Sequence, residues 1–186
     1  SSGVKIRFLY FNWALDFTRR DKIYRNYRHD GAYYCVSPWA LTWDNENYYL
    51  IAYDPSAPEG SRIRNYRVDK MENIQLTEEK REGAQHFRGS FSPAAYARKM
   101  FGMFSGHEEI VRLRCRKDAI NILRDRFGSE LMVQPDDSTH FFASVTVAVS
   151  PQFYAWVVGL NGAVRIVAPQ HVCDGFRKLL LEQLEE

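Results

Sequence analysis

The sequence predicts an α+β protein in two parts: a small β-barrel or sandwich, then a ferredoxin-like βαββαβ domain with a C-terminal helix. Three observations carry this. Residues 4–76 fall into about six short runs rich in β-branched and aromatic residues, with tight turns and no helical period. Such a chain closes on itself into a barrel or sandwich. Residues 109–184 read strand, helix, strand, strand, helix, strand, then a last helix, which is the order of the split βαβ unit. Between them, Thr77 to Gly89 is polar and charged and reads as a linker crossing the surface. The expected bounds are 1–80 for the barrel, 81–92 for the linker and 93–186 for the second domain.

In the first domain, Val4 to Phe11 is a strand with Val4, Ile6, Phe8 and Tyr10 on one face by the period of two. Asp16 to Asp21 is a polar connection. Lys22 to Arg28 alternates as a second strand. His29-Asp30-Gly31 is a turn, because Asp-Gly supplies the positive φ that a tight hairpin needs. Ala32 to Ser37 returns as its partner. Pro38 lacks an N–H and is expected at a strand edge or bulge. Ser37 to Trp43 and Tyr48 to Tyr53 are strands joined by Asp44-Asn45-Glu46-Asn47, and Arg62 to Val68 is a strand carrying three arginines. Met71 to Leu76 alternates and is the last strand.

In the second domain, Ser92-Pro93 is a helix start, serine capping and proline opening. Ala94 to Met103 is expected as a short helix. Glu109 to Cys115 is a strand, and Asp118 to Phe127 is a helix stopped by Gly128. Leu131 to Gln134 and His140 to Val149 are strands. Ser150-Pro151 repeats the helix-start signature before Gln152 to Gly159. Ala163 to Val167 is a strand. Pro169 opens the final helix, with Val172, Phe176, Leu180 and Leu184 in register.

With 186 residues, 45% apolar and 26% charged, the chain has the composition of a soluble globular protein. No apolar run approaches the ~20 residues of a membrane span. No signal peptide opens the chain, so a cytoplasmic location is expected. Ser1-Ser2-Gly3 reads as a cloning remnant. Cys35, Cys115 and Cys173 are odd in number and scattered, which makes neither a disulfide framework nor a zinc site; they read as reduced core thiols. The net charge is +2, split as 16 Lys/Arg against 12 Asp/Glu in residues 1–106, and 9 against 11 in residues 107–186. That mild asymmetry allows an anionic ligand on the first half.

Enzyme chemistry finds little support. The five histidines, His29, His86, His107, His140 and His171, make no metal spacing. His29 and His140 read as exposed or capping, and Asp136-Asp137 as a hairpin turn. There is no glycine-rich phosphate loop and no G-x-S-x-G. No catalytic residues, metal or cofactor are expected. The chemistry sits instead on the arginine strand. Alternation puts Arg62, Arg64 and Tyr66 on one face and Asn65 and Arg67 on the other, so Arg64 and Arg67 share a site only if the strand twists strongly or bulges. Two readings stay open. The arginines are a solvated face of weak ion pairs, each worth ~0–1 kcal/mol, or they line a basic aromatic groove that binds phosphates and stacks bases.

The stretch Ser37 to Met71 resembles the WYL domain of bacterial transcriptional regulators. The Trp-Tyr-Leu tripeptide reads Tyr48-Tyr49-Leu50 here. The second signature, Arg-x-Phe-Arg-x-Asp-Arg-Ile, reads Arg64-Asn65-Tyr66-Arg67-Val68-Asp69-Lys70-Met71. Two departures keep an aromatic ring, and Lys70 replaces a planar fork with a point charge. The run Phe153, Trp156, Gly159, Val164, Pro169 is similar to the C-terminal WCX extension of these regulators, so the resemblance covers nearly the whole chain. It implies an SH3/Sm-like barrel followed by the extension. It implies an effector-sensing region that binds a nucleotide or a short single-stranded nucleic-acid-like anion. The ligand-binding residues implied are Arg64, Arg67, Lys70, Tyr49, Tyr66, Trp39, Ser37 and Tyr10. A homodimer is expected, because a ferredoxin-like sheet leaves a face or edge for a partner. The winged-helix domain that usually precedes the pair in this family is expected to be absent, so duplex DNA would be read only through it. A module that binds RNA or single-stranded DNA as its end function is the alternative, and a pure interaction module a third.

Overall fold

In the computed structural model, which describes residues 3–87, 91–104 and 106–185, strand β1 runs Val4–Leu15. Ser1 and Ser2 of the expected remnant, and residues 88–90 of the expected linker with Gly89, lie outside the described residues. The chain divides into two units, residues 1–93 and 94–186.

The first unit is one antiparallel sheet. β1 is followed by β2 (Ile23–Tyr27), β3 (Tyr34–Asp44), β4 (Asn47–Tyr53), β5 (Ile63–Arg67) and β6 (Met71–Lys80). The order is β2-β1-β3-β4-β5, and β6 also pairs with β1. The sheet curls as a half-barrel around Phe8, Tyr10, Tyr34, Val36, Leu50, Ala52 and Tyr66. Burial of these apolar and aromatic side chains is what holds the curl.

Several expected bounds move. β1 continues past Phe11 because Phe11 to Leu15 pair with Tyr27 to Ile23 of β2. The strands expected on either side of Pro38 are one strand, β3. Pro38 stays in register with Ala52, and the register shifts between Pro38 and Ala40, so Trp39 is the extra residue and proline stands at the edge of a bulge, as expected. β6 runs to Lys80 instead of ending at Leu76. Buried Lys5 explains the extension: its Nζ lies 2.9 Å from Glu79 and 2.6 Å from Glu82. Those bonds hold the ammonium above the usual lysine range.

The second unit holds α1 (Pro93–Lys99), β7 (His107–Arg116), α2 (Ile120–Phe127), β8 (Met132–Pro135), β9 (His140–Val149), α3 (Pro151–Gly159), β10 (Val164–Ala168) and α4 (Gln170–Glu182). Its sheet order is β10-β7-β9-β8, antiparallel throughout. Val111, Leu113 and Cys115 of β7 pack with Leu123, Phe153 and Val172 of the helices. α1 is shorter than expected, and Met100, Phe101 and Met103 are buried beyond its end. Ser150 caps α3 by accepting from Phe153 N at 3.3 Å. α4 packs through Val172, Phe176 and Leu179, whereas Leu184 lies past the helix and is 80% exposed. The apolar stripe is therefore rotated from the one expected. All three cysteines are free, but only Cys115 is fully buried, and burial pushes its thiol up to about 12.

Candidate functional site

β5 pairs with β4 without a bulge: Tyr49 faces Arg67, Leu50 faces Tyr66 and Ala52 faces Arg64. Leu50, Ala52 and Tyr66 belong to the core, so the same alternation turns Arg64 to the inner face and Arg67 to the outer one. The strand offers no twist or bulge that unites them.

Beside the core, a cleft of ≈ 250 Å³ is lined by Tyr10, Arg28, His29, Tyr34, Asp54, Ser56, Arg64 and Tyr66. Arg64 is half-buried here, and its Nε is buried without a hydrogen-bond partner. Among the described residues neither Arg64 nor Arg28 makes a side-chain hydrogen bond or ion pair. A half-buried guanidinium without a partner is unfavourable, so the arrangement leaves room for an anion to supply one. The imidazole of His29 stacks on Tyr34, with ring centroids 4.4 Å apart. His29 (φ 52°), Asp30 (φ 51°) and Gly31 (φ 80°) are all left-handed. The turn costs some backbone strain at the two non-glycine residues and holds Arg28 and His29 against the cleft.

Asp54 is the carboxylate of the lining, and it is committed to the protein. Its Oδ1 accepts from Ser56 N (3.0 Å) and Ser56 Oγ (2.6 Å), and its Oδ2 accepts from Tyr66 Oη at 2.9 Å. Burial and Asp54 push the Tyr66 phenol well above its usual range, and burial raises Tyr10 and Tyr34. All three are neutral hydroxyls at physiological pH.

Of the eight residues singled out in the sequence, the structure brings Tyr10, Arg64 and Tyr66 together in the cleft. Arg67 lies elsewhere. Its fork donates to Asp69 at 3.0 and 2.8 Å and to Asn47 Oδ1 at 2.7 Å. Its backbone N donates to Tyr10 Oη at 3.1 Å. The bond to Asp69 holds that carboxyl below its usual range. Buried Tyr49 sits across from Arg67, and half-buried Lys70 lies in the 3-10 turn Val68–Lys70. Ser37 and Trp39 anchor the chain after β6. Ser37 Oγ accepts from Glu82 N at 2.8 Å, and Trp39 Nε1 donates to Glu82 O at 2.9 Å. The Trp39 ring stacks on Phe87 and lies under the Arg81 guanidinium. Arg28, His29, Tyr34 and Asp54 were not singled out. They reach the cleft through long-range pairing, and the only local signal was the His29-Asp30-Gly31 turn ahead of Tyr33-Tyr34.

Among the described residues no cluster of His, Cys, Asp or Glu could hold a metal ion, and no helix is long and apolar enough to cross a membrane.

Comparison with known proteins is consistent with this division. The WYL domain matches residues 4–76 and the WCX domain matches residues 107–184. No curated protein sequence matches the chain. Among solved structures, the proteasome accessory factor B/C (PafBC) of Arthrobacter aurescens is 20% identical with a TM-score of 0.39, over 99% of this chain and 25% of that one. A CRISPR Cas-related protein is 12% identical with a TM-score of 0.50, over 100% of this chain and 48% of that one. The chain thus spans at most about half of either relative. By the two domains it carries, in this order, the chain belongs to the WYL-domain family with a C-terminal WCX extension.

Proposed function

We propose that residues 1–186 are the effector-sensing region of a bacterial transcriptional regulator. The effector is a nucleotide or a short single-stranded nucleic-acid-like anion held in the cleft of the WYL domain. The observation that carries this reading is Arg64: inner-facing, half-buried, unpaired, and beside unpaired Arg28 among tyrosine rings. Guanidinium groups bind phosphate through charge-assisted bonds, and the rings favour a sugar or base. The role is binding and not catalysis, since both oxygens of Asp54 are already bonded. The ligand would bind one conformation of the regulator better than another and so shift the affinity of a winged-helix DNA-binding domain outside these residues.

The fold supports this assignment. The antiparallel order β10-β7-β9-β8 supports a ferredoxin-like reading of the WCX domain, and the curled sheet an SH3/Sm-like one of the WYL domain. β8 is a sheet edge with all four residues exposed, which supports a homodimer through strand pairing. Three free thiols suit a reducing cytoplasm.

Calorimetric titration with a nucleoside monophosphate tests the reading. The wild type should bind, and Arg64→Ala should bind about tenfold or more weakly, the scale of one lost charge-assisted bond of ~1.5–3 kcal/mol. Equal affinities in the two proteins would remove the cleft as the site.

A further inference from the structure

In the second unit the inner face of the sheet is wider than the helices that cover it. Val133 of β8 stands opposite Ala143 and Pro135 opposite Phe141, and both partners belong to the core. Alternation therefore turns Val133 and Pro135 to the face that the helices pack against. Yet Val133 is 49% exposed, and Pro135 is exposed as well. The space beside them is a pocket of ≈ 400 Å³, lined by Lys117, Ile120, Val133, Pro135, His140 and Phe141. That volume falls within the ~300–1,000 Å³ of typical small-molecule sites.

The carboxylate of the lining, Asp137, is saturated. Its Oδ1 accepts from Thr139 N at 2.7 Å, and from Thr139 Oγ1 and His140 N at 2.8 Å each. Its Oδ2 accepts from Arg114 at 2.8 Å. These bonds, those from Thr139 first, hold the carboxyl well below the usual range. His140 Nδ1 lies 2.8 Å from Thr139 Oγ1 and 3.1 Å from Asp137 Oδ1. The threonine hydroxyl gives its proton to Asp137, so both neighbours accept and the ring proton belongs on Nδ1. Nε2 of the neutral imidazole is then an acceptor, and it makes no hydrogen bond among the described residues. Lys117 opens the 3-10 turn Lys117–Ala119 ahead of α2, and its backbone N donates to Thr139 O at 2.9 Å. Its ammonium makes no hydrogen bond or ion pair among the described residues.

We infer that this pocket is a second ligand site, and that it takes a small aromatic carboxylic acid with a hydrogen-bond donor at the end away from its carboxylate. Lys117 holds the carboxylate. Ile120, Val133, Pro135 and Phe141 take the ring, since an aromatic body suits apolar walls that include Phe141. His140 Nε2 accepts from the donor. The charge-assisted bond is the stronger of the two, so the acid group sets affinity and the donor adds selectivity. A single ammonium with charged Asp137 nearby suits a monoanion better than a phosphate dianion. The site is independent of the nucleotide-binding reading of the first unit.

Titration of isotope-labelled residues 1–186 with 4-hydroxyphenylacetate, followed by amide NMR shifts, tests this. Saturable shifts should map to Lys117, Ile120, Val133 and His140. The uncharged 4-hydroxyphenylacetamide should bind about tenfold or more weakly, and phenylacetate, which lacks the donor, about threefold or more weakly. Lys117→Met, at an exposed turn position, should lose about tenfold or more for the acid and bind the amide as the wild type does. Lys117→Arg, which keeps the charge, should retain most of the acid affinity. Arg64→Ala should leave the titration unchanged, because the cleft of the first unit takes no part. Shifts absent from the pocket or confined to residues 3–87 would overturn the assignment. So would equal affinity for acid and amide, or undiminished acid binding by Lys117→Met with its spectrum otherwise intact.

Discussion

Arg64 and Arg67 stand three residues apart in one strand and have opposite fates. Arg67 is neutralised by Asp69 and tied to Asn47, whereas Arg64 has no partner. Arg64→Ala removes no native bond, so its melting temperature should stay at the wild-type value while ligand affinity falls. Arg67→Ala should do the reverse. It should keep the ligand and lose roughly 0.5–1.5 kcal/mol, the scale of one net hydrogen bond, in denaturant unfolding. That loss has a pH signature. The Asp69 carboxyl is held below its unfolded value of ~3.9, so its contribution is full above that pH and disappears as pH falls through the lower folded value. The gap between wild type and Arg67→Ala should therefore shrink in acid. A gap that stays constant down to strongly acidic pH would show that Asp69 is not the partner that matters. Tyr66→Phe is a further residue-scale case. It strips a donor from buried Asp54 and should cost about 1–3 kcal/mol, read as a lower midpoint in urea.

At the scale of elements, two buried positions, Gly83 and Ser150, fix how the chain enters or leaves an element. Gly83 sits at φ 80°, and a Cβ there would lie 2.4 Å from the Tyr53 ring. Gly83→Ala should thus displace the chain that leaves β6 and loosen the Ser37 and Trp39 anchors on Glu82. A clear loss of thermal stability checks this, and an unchanged melting curve would contradict it. Ser150→Ala removes the cap of α3 and should cost about 0.5–2 kcal/mol. Elements of this kind were legible in the sequence: Ser150-Pro151 announced α3, Gly128 ended α2, and the β7 alternation marked Val111, Leu113 and Cys115 as core. What stayed hidden depends on pairing between distant segments. The strand expected over Val4 to Phe11 stops short of Asn12 to Leu15, where Trp13 and Leu15 prove exposed, and only β2 as partner extends it into an arm. α4 turned its stripe toward Leu179 because the packing surface, not the helical period alone, selects the buried face. The cleft was half legible. Arg64, Tyr66 and Tyr10 lie on recognisable strand patterns, but Arg28, His29 and Tyr34 join them only once the register of β1, β2 and β3 is fixed.

At the scale of the whole molecule, the two domains place their charge and their helices so that a duplex gains little. Major-groove reading needs an element that projects base-reading side chains. α2 and α4 bury Leu123 and Val172 against the second sheet, and residues 107–186 carry 9 Lys/Arg against 11 Asp/Glu. Arg28 and Arg64 belong to the WYL domain and line a cleft too small for a double helix. Residues 1–186 should therefore bind duplex DNA no tighter than the nonspecific range of ~10⁻⁴–10⁻⁶ M at physiological salt.

On the proposed function, this chain senses a nucleotide or single strand through Arg64 and does not read duplex sequence. A mobility-shift titration at physiological salt tests it most directly, comparing a short single strand with its own duplex on the wild type and on Arg64→Ala. The expected result is tighter binding of the single strand, a loss of about tenfold or more in the variant, and weak duplex binding that Arg64→Ala barely changes. Nanomolar, sequence-selective duplex binding by residues 1–186, or single-strand binding unaffected by Arg64→Ala, would contradict it.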